Sequence, residues 1–180
     1  MRLSLLWMLV TLSTSLVCAQ QKPLSADTLH WSSSRPLTWD DFKGKPIEGI
    51  GFFGEAYCQD AANFEKASTF SKTKTTVTAI FDKRNSWVDP TQKTDQGLLY
   101  FQVMFNLFEV HARELRKKLK ETKLGMNPTK VFQQLHGESM SMLSDEYGKF
   151  REETKAGSDL SQLKHWDAVV QQKLLNLQGN

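Results

Sequence analysis

Four histidines are the residues of this chain best suited to hold a catalytic metal: His30, His111, His136 and His165. A zinc site needs three or four converging ligands, which are His, Cys or carboxylate side chains. On a helix, only residues three or four positions apart present side chains on the same face, and no two of these histidines have that spacing. We therefore interpret them as surface or structural imidazoles.

Two further patterns invite a chemical interpretation. The letters GIGFFG at 49–54 match the dinucleotide fingerprint G-x-G-x-x-G. That fingerprint must follow a strand and open a helix, whereas this segment leads into a predicted strand, so we interpret it as a glycine-rich strand start. Cys58, the one cysteine expected in the mature chain, also lies in that strand, where a buried and inert thiol is expected. The sequence contains no G-x-S-x-G nucleophile motif.

The elements that must position these residues follow an α+β order, with strands first and helices afterwards. Strands are predicted over 51–59 and from about 72 to 82, the second being rich in β-branched residues. The segment 83–95 is predicted to be a loop, with Trp87 and Val88 pinning it to the core. Earlier in the chain, Thr38 is placed to cap one helical turn, and the segment around it carries the apolar anchors Trp31, Leu37, Trp39 and Phe42.

Everything after Thr94 is predicted to be helical. The first helix carries an apolar stripe at alternating spacings of three and four: Leu98, Phe101, Phe105, Phe108, Ala112, Leu115 and Leu119. Gly125 is expected to end it, and Asn127 and Pro128 to open a second helix that runs to about Thr154. Ser158 or Asp159 is expected to cap a third helix, with inward-facing Leu160, Leu163, Trp166, Val170 and Leu174.

Several fragments together resemble a known family. They are RPLTWDDFKGKP at 35–46, NSWV at 85–88, ARELRKKL at 112–119 and REETKAG at 151–157. In this order they are similar to a bacterial family of secreted, predicted zinc-dependent proteases, catalogued as a domain of unknown function. The likeness covers the chain from about Trp31 to Leu174. It implies a zincin-like arrangement of antiparallel strands packed against three helices.

The resemblance also implies that the zinc ligands of the family are missing here. The family's long helix carries H-E-Q-x-H, in which two histidines hold zinc and the glutamate is the general base. Matched through EVHAREL, this motif falls on Tyr100, Phe101, Gln102 and, for its second histidine, Met104. A downstream Y-D-x-E-T-x-H-G places the third ligand at Ala156. Phenol, thioether and methyl groups do not replace imidazole on zinc, so the resemblance implies no catalytic residue, no metal and no cofactor.

The same comparison predicts a cleft that has been relined. Glu153 and Thr154 match the downstream motif, Arg151 replaces its acid, and His111 lies on the helix face that would hold zinc. A guanidinium there presents a fixed fork of donors suited to a carboxylate or phosphate. The alternative is that Arg151 projects into solvent. Tyr100, Phe101 and Met104 are expected to be at least half buried.

The first nineteen residues predict a cleavable secretory signal, with one basic residue, an apolar core and cleavage between Ala19 and Gln20. Alternatively, Cys18 is a lipidated first residue, although Val17 is larger than the residue usual before such a cysteine. Residues 20–27 are expected to form a flexible lead-in, and 28–180 a single protease-like domain. The mature protein is then secreted or periplasmic.

Charge and hydropathy limit the classes of function. With 23 Lys and Arg against 20 Asp and Glu, the chain offers no electrostatic argument for binding nucleic acid. No second apolar run approaches the ~20 residues of a membrane span. We expect a non-catalytic protein with a binding or structural role in the cell envelope, whose partner is an unknown protein, peptide or small anionic ligand. The alternative is an active hydrolase with a rearranged or metal-free site, for which the candidates are Glu109, His111 and Glu153.

Overall fold

Three strands precede three long helices in the computed structural model, which describes residues 27–47, 53–65, 74–123, 125 and 127–179. The strands are β1 (Thr28–His30), β2 (Gly54–Glu65) and β3 (Lys74–Val88), and they form an antiparallel sheet in the order β1-β3-β2. The helices are α1 (Asp95–Glu121), α2 (Pro128–Glu153) and α3 (Leu160–Asn176). The predicted α+β class, with antiparallel strands before three helices, is confirmed.

Predictions about the start of the chain lie mostly outside the described residues. These are the signal peptide, its cleavage point between Ala19 and Gln20, the lipidation alternative at Cys18, residues 20–26 and residues 49–52 of the glycine motif. Asp27 is described and is firmly held. Its carboxylate accepts hydrogen bonds from Lys43 Nζ (3.1 Å) and Arg84 Nε.

The loop predicted over 83–95 is wrong for its first half, because β3 continues to Val88. Trp87 and Val88 are buried and pair with the start of β2. The strand register shifts between Glu55 and Tyr57, where Ser86 Oγ accepts a hydrogen bond from Tyr57 N (2.9 Å). The polar letters KRNS look like a loop, and residues 83–86 have no partner in the described register of β2 and β3. Their backbone is instead held by hydrogen bonds from Lys43 N to Lys83 O (2.9 Å) and from Gly44 N to Ser86 O (2.8 Å). The sequence does not show this because the donors lie far earlier in the chain.

α1 is the central helix of the fold, with the sheet against one side and α2 and α3 against the others. It begins directly after Thr94, as predicted, and Thr94 caps it, since its Oγ1 accepts a hydrogen bond from Gly97 N (3.1 Å). The helix ends at Glu121, earlier than the predicted stop at Gly125. The predicted stripe is buried or half-buried throughout, and burial extends beyond it to every residue of 103–107. A helix enclosed on several sides needs apolar residues on more than one face.

The outer helices also begin as predicted. Asn127 caps α2, with Pro128 as its first residue, and Asp159 caps α3. The expected inward residues of α3 are buried except Leu160, which is 41% exposed. That part of the prediction is wrong, because the contact of α3 with the core begins one turn later, at Leu163.

The segment before β2 is fastened by a buried carboxylate. Thr38 precedes a single 3-10 turn, Trp39–Asp41, as predicted. Asp41 receives two hydrogen bonds of 2.7 Å from Arg35 and one of 2.9 Å from Thr38 N, and Lys83 Nζ lies 3.0 Å away. Burial by itself would raise the pKa of Asp41, but these donors outweigh it and hold the pKa well below its usual range.

Candidate functional site

A cavity of about 660 Å³ lies between the start of β2, α1 and the end of α2. We call it the β2–α1 cavity. It is lined by residues 53–58, by the apolar face of α1 that includes Tyr100 and Met104, and by Arg151, Lys155 and Ala156 at and after the end of α2. Its volume is in the range of small-molecule sites, and most of its walls are aromatic or aliphatic side chains.

The three positions that the resemblance assigns to zinc ligands meet in this cavity. Tyr100 and Met104 come from adjacent turns of α1, and Ala156 comes from the turn after α2. Tyr100, Phe101 and Met104 are 5%, 2% and 3% exposed, so the prediction that they are at least half buried is confirmed. These side chains expose little surface to solvent because other residues pack around them, and the part that remains exposed forms a wall of the cavity.

Tyr100 is the central side chain of this wall. Its ring stacks on Phe150 at 5.0 Å between centroids and meets Phe53 edge-on at 6.3 Å. It also covers Gly157 so closely that a Cβ at that glycine would lie 2.8 Å from Tyr100 Cγ. Burial and the neighbouring phenol of Tyr147 raise the pKa of Tyr100, against the influence of Arg151. The phenol is therefore neutral at ordinary pH.

The turn that carries Ala156 has an unusual backbone. Lys155, Ala156 and Gly157 have positive φ angles of 49°, 52° and 92°. Non-glycine residues rarely adopt this conformation, which costs of order 1 kcal/mol each and persists only where the surroundings enforce it. Here Ala156 N donates to Arg151 O (2.8 Å), and Gln96 Nε2 donates to Gly157 O (2.8 Å). These bonds hold the backbone of the turn against the cavity.

Of the residues expected to reline the cleft, the structure places Arg151 on the cavity wall and the others elsewhere. Thr154 is buried and donates from Oγ1 to Phe150 O (2.7 Å). Glu153 accepts a hydrogen bond from Trp166 Nε1 (2.8 Å). Sequence reasoning missed Lys155, which joins Arg151 at the cavity. The REETKAG fragment contained it, but nothing in the spacing showed that the turn brings it there.

His111 belongs to a separate, partly buried hydrogen-bond network. Its Nε2 lies 2.9 Å from Glu146 Oε2, and Lys173 Nζ donates to the other oxygen of Glu146 (2.6 Å). The hydrogen bond with His111 and the contribution of Lys173 lower the pKa of Glu146 to about 2, with burial opposing them. Glu109 is also engaged, since both Arg113 and Arg116 donate to it at 2.9 Å. The three hydrolase candidates are thus bound to different partners.

Asp60 is a buried carboxylate that the sequence did not single out. Its side chain is 1% exposed, and neither oxygen has a hydrogen-bond partner among the described residues. His136 Nε2 is 3.6 Å away, too far for a hydrogen bond. Burial raises the pKa of Asp60, against the influence of His136 and His111. Within the described residues, no group of three or more His, Cys, Asp or Glu side chains has a geometry that could hold a metal ion.

Gln102, the one residue shared with the family's H-E-Q-x-H, faces away from the β2–α1 cavity. Its Oε1 accepts a hydrogen bond from Leu37 N (2.7 Å), and its Nε2 donates to Asn106 Oδ1 (2.9 Å). Asn106 also accepts a hydrogen bond from Trp31 Nε1 (2.8 Å). Gln102 therefore fastens the N-terminal segment to α1, beside a smaller polar cavity of about 370 Å³.

The remaining candidates have plainer surroundings. Cys58 is a half-buried free thiol on the wall of the β2–α1 cavity, and burial raises its pKa, which keeps it protonated. A protonated thiol is a weak nucleophile. His30 and His165 are exposed, as expected of surface imidazoles.

Comparisons with known proteins place this chain in no family: no protein-family model, curated protein or solved structure matches it. Among the described residues, no helix has the length and apolar character needed to cross a membrane.

Proposed function

We propose that this protein is a secreted, non-catalytic relative of the predicted zinc-dependent proteases, and that its β2–α1 cavity binds a ligand. One observation carries the proposal. Positions 100, 104 and 156, assigned to zinc by the resemblance, line a single cavity and bear Tyr, Met and Ala. The first two are one helical turn apart, and the third comes from another element, as three ligands of one metal would require.

The chemistry of the cavity favours an apolar ligand that carries a negative charge. Most of its walls are aromatic and aliphatic, and the charged residues among its described lining are Arg151, Lys155 and Glu55. Lys155 Nζ also lies 3.6 Å from Asp159 Oδ2, so a ligand carboxylate would share this cation with Asp159. Apolar walls with a few placed polar groups are typical of binding sites, in which the charges orient the ligand. A carboxylate or sulfonate on an aromatic or aliphatic body has this character.

Rebuilding the zinc site tests the assignment of the three positions. Elemental analysis should find no stoichiometric zinc in the wild-type protein and about one zinc per chain in the triple variant Tyr100→His, Met104→His, Ala156→His. The matched control is Lys117→His with Glu121→His, an exposed pair with the same spacing on α1 that offers only two ligands. Zinc in the wild-type protein, or no more zinc in the triple variant than in the control, would contradict the proposal.

Binding at the cavity is tested with an apolar anion. The dye 1-anilinonaphthalene-8-sulfonate should bind with enhanced fluorescence, and Ala156→Phe, which fills the cavity, should weaken binding about tenfold or more. Leu175→Phe adds a similar ring at an exposed position and should leave the affinity unchanged. Equal affinity in all three proteins would show that the dye does not use the cavity.

The alternative, an active hydrolase, has less support from the geometry. Glu109 is committed to a buried ion pair, His111 to a hydrogen bond with Glu146, and Glu153 to one with Trp166, so the structure does not present these groups together to a substrate. Turnover of a protein substrate that is lost in His111→Gln, with the fold retained, would favour this alternative.

A further inference from the structure

β2 is an outer strand, and one of its edges faces the β2–α1 cavity. In the sheet order β1-β3-β2, β2 pairs with β3 alone, and no other described strand lies on its far side. Its outer edge therefore presents backbone donors and acceptors that no described strand uses. Such an edge is a template for an added strand.

The residues that line the cavity show how it lies against this strand. Successive side chains of a strand point to opposite faces, so a pocket on one face touches every second residue. The β2–α1 cavity touches all six consecutive residues from 53 to 58. Within this stretch Glu55 and Tyr57 are exposed, whereas Ala56 and Cys58 are half-buried on the other face. The cavity therefore runs along the strand edge and not across one face.

The cations of the cavity gather near the first residue of β2. Phe53, directly before β2, lies 6.3 Å from the ring of Tyr100, and Tyr100 packs on Gly157 of the turn that also carries Lys155. Arg151 directly follows Phe150, whose ring stacks on Tyr100 at 5.0 Å between centroids. Both cations are thus at the Gly54 end of the strand.

Strand direction then determines which end of an added peptide would meet these cations. The sheet is antiparallel throughout. A peptide that adds an antiparallel strand to β2 continues the hydrogen-bond pattern already present in the sheet. A peptide running antiparallel to β2 has its last residue beside the first residue of β2. Its terminal carboxylate would therefore lie near Arg151 and Lys155, whereas a parallel peptide would bring a positive amino terminus there.

We propose that the β2–α1 cavity captures the C-terminus of an extended peptide. The peptide adds an antiparallel strand to the outer edge of β2, its terminal carboxylate lies between Arg151 and Lys155, and an apolar side chain near its end enters the cavity against Tyr100 and Met104. The inference rests on the proposed function and specifies its ligand. Glu55, at the same end of the strand, would repel acidic side chains near the terminus and favours neutral ones.

The probe is a pair of N-acetylated hexapeptide pools with randomised sequence and a C-terminal phenylalanine. One pool ends in a free carboxylate and the other in an amide, so they differ only in the terminal charge. The immobilised protein should retain the acid pool, and a retained peptide measured by fluorescence anisotropy should bind at least tenfold more tightly than its own amide. Equal retention of the two pools, or retention of neither, overturns the inference.

Matched variants test the role assigned to the cations. Arg151→Gln with Lys155→Gln should bring the affinity of the acid down to that of the amide. Lys149→Gln with Lys164→Gln removes two exposed charges that do not line the cavity, and it should leave the preference for the acid intact. A preference that survives the first pair, or that the second pair removes, contradicts the assignment.

Hydrogen exchange distinguishes strand addition from binding in the cavity alone. On addition of the retained peptide, exchange of backbone amides within 54–58 should slow in the wild-type protein. Unchanged exchange there, with the anilinonaphthalene dye still bound in the cavity, would reject the peptide while leaving the proposed function standing. Loss of both peptide and dye binding would reject the two together.

Discussion

Phe101 is a buried residue of this site that packs against several aromatic rings. It occupies the position that the resemblance assigns to a general base, and its ring lies within 5.0 Å of Phe42, 5.2 Å of Phe53 and 6.3 Å of Trp39, between centroids. An unpaired carboxylate in such surroundings would cost several kcal/mol. The ring instead joins three segments of the chain: the N-terminal turn, the start of β2 and α1.

Removal of this ring should therefore be costly. We expect Phe101→Ala to lower the free energy of unfolding by ~3–5 kcal/mol, because it leaves a cavity among buried aromatic rings. Urea denaturation measures this loss, with Leu160→Ala at an exposed position as the control, which should change stability by less than ~0.5 kcal/mol. A loss below ~1 kcal/mol for Phe101→Ala would show that the ring does not contribute to the core as described.

Glu146 should make the free energy of unfolding depend on pH in the acidic range. Its pKa is lowered from 4.5 to about 2 in the folded protein, so the carboxylate stabilises the fold fully above its unfolded pKa. This contribution is lost as the pH falls from about 4.5 to about 2, and it amounts to up to ~3 kcal/mol. Urea titrations at a series of pH values should show a steeper loss in the wild-type protein than in Glu146→Gln. Parallel curves would contradict the assignment.

At the scale of elements, the structure explains which features the sequence could predict. The caps at Asn127 and Asp159 were predictable because a cap is a local interaction between a side chain and the next turn. The end of β3 was not, because the strand continues past the polar segment after Asp82 only through the pairing of Trp87 and Val88 with the start of β2. A helix cap depends on residues that are neighbours in the sequence, whereas the end of a strand depends on residues far away in the chain.

Gln102 links two elements, and its loss should loosen one of them. It accepts the hydrogen bond of Leu37 N, so Gln102→Ala leaves a buried donor without a partner. We expect a loss of about 1–3 kcal/mol and faster hydrogen exchange in the segment around Leu37. Gln134→Ala, which removes an exposed bond to Glu138 within α2, is the matched control and should have little effect on either measurement. Unchanged exchange near Leu37 in Gln102→Ala would contradict the link.

At the scale of the whole molecule, the fold gathers positions that are far apart in the sequence. The resemblance pointed to positions 100, 104 and 156, and the structure brings all three to one cavity. The sequence could not have predicted that Lys155 and the edge of β2 lie at this cavity, because the left-handed turn and the strand order bring them there. The lack of a hydrogen-bond partner for Asp60 within the described part of the chain was equally hidden, since hydrogen-bond partners are a property of the packed interior.

Export of the whole chain is a separate prediction. We expect the protein recovered from the periplasm or medium to begin at Gln20, because Ala19 and Val17 fit the small-residue positions of a cleavage site. Intact-mass spectrometry measures this directly. Ala19→Arg should block cleavage and leave a heavier, uncleaved chain. A mature protein that begins at a lipidated Cys18 would establish the alternative instead.

The outer edge of β2 also has a consequence for how the protein behaves in concentrated solution. A strand edge that no described strand pairs with, lying beside apolar walls, can recruit a second copy of the same chain, and such contacts nucleate aggregates. The shifted register near Glu55 and the charge of that residue interrupt the edge and oppose this. Light scattering should therefore rise with concentration more steeply for Glu55→Val than for the wild-type protein. A peptide bound at the edge should suppress the rise, because it blocks the contact between two copies of the chain.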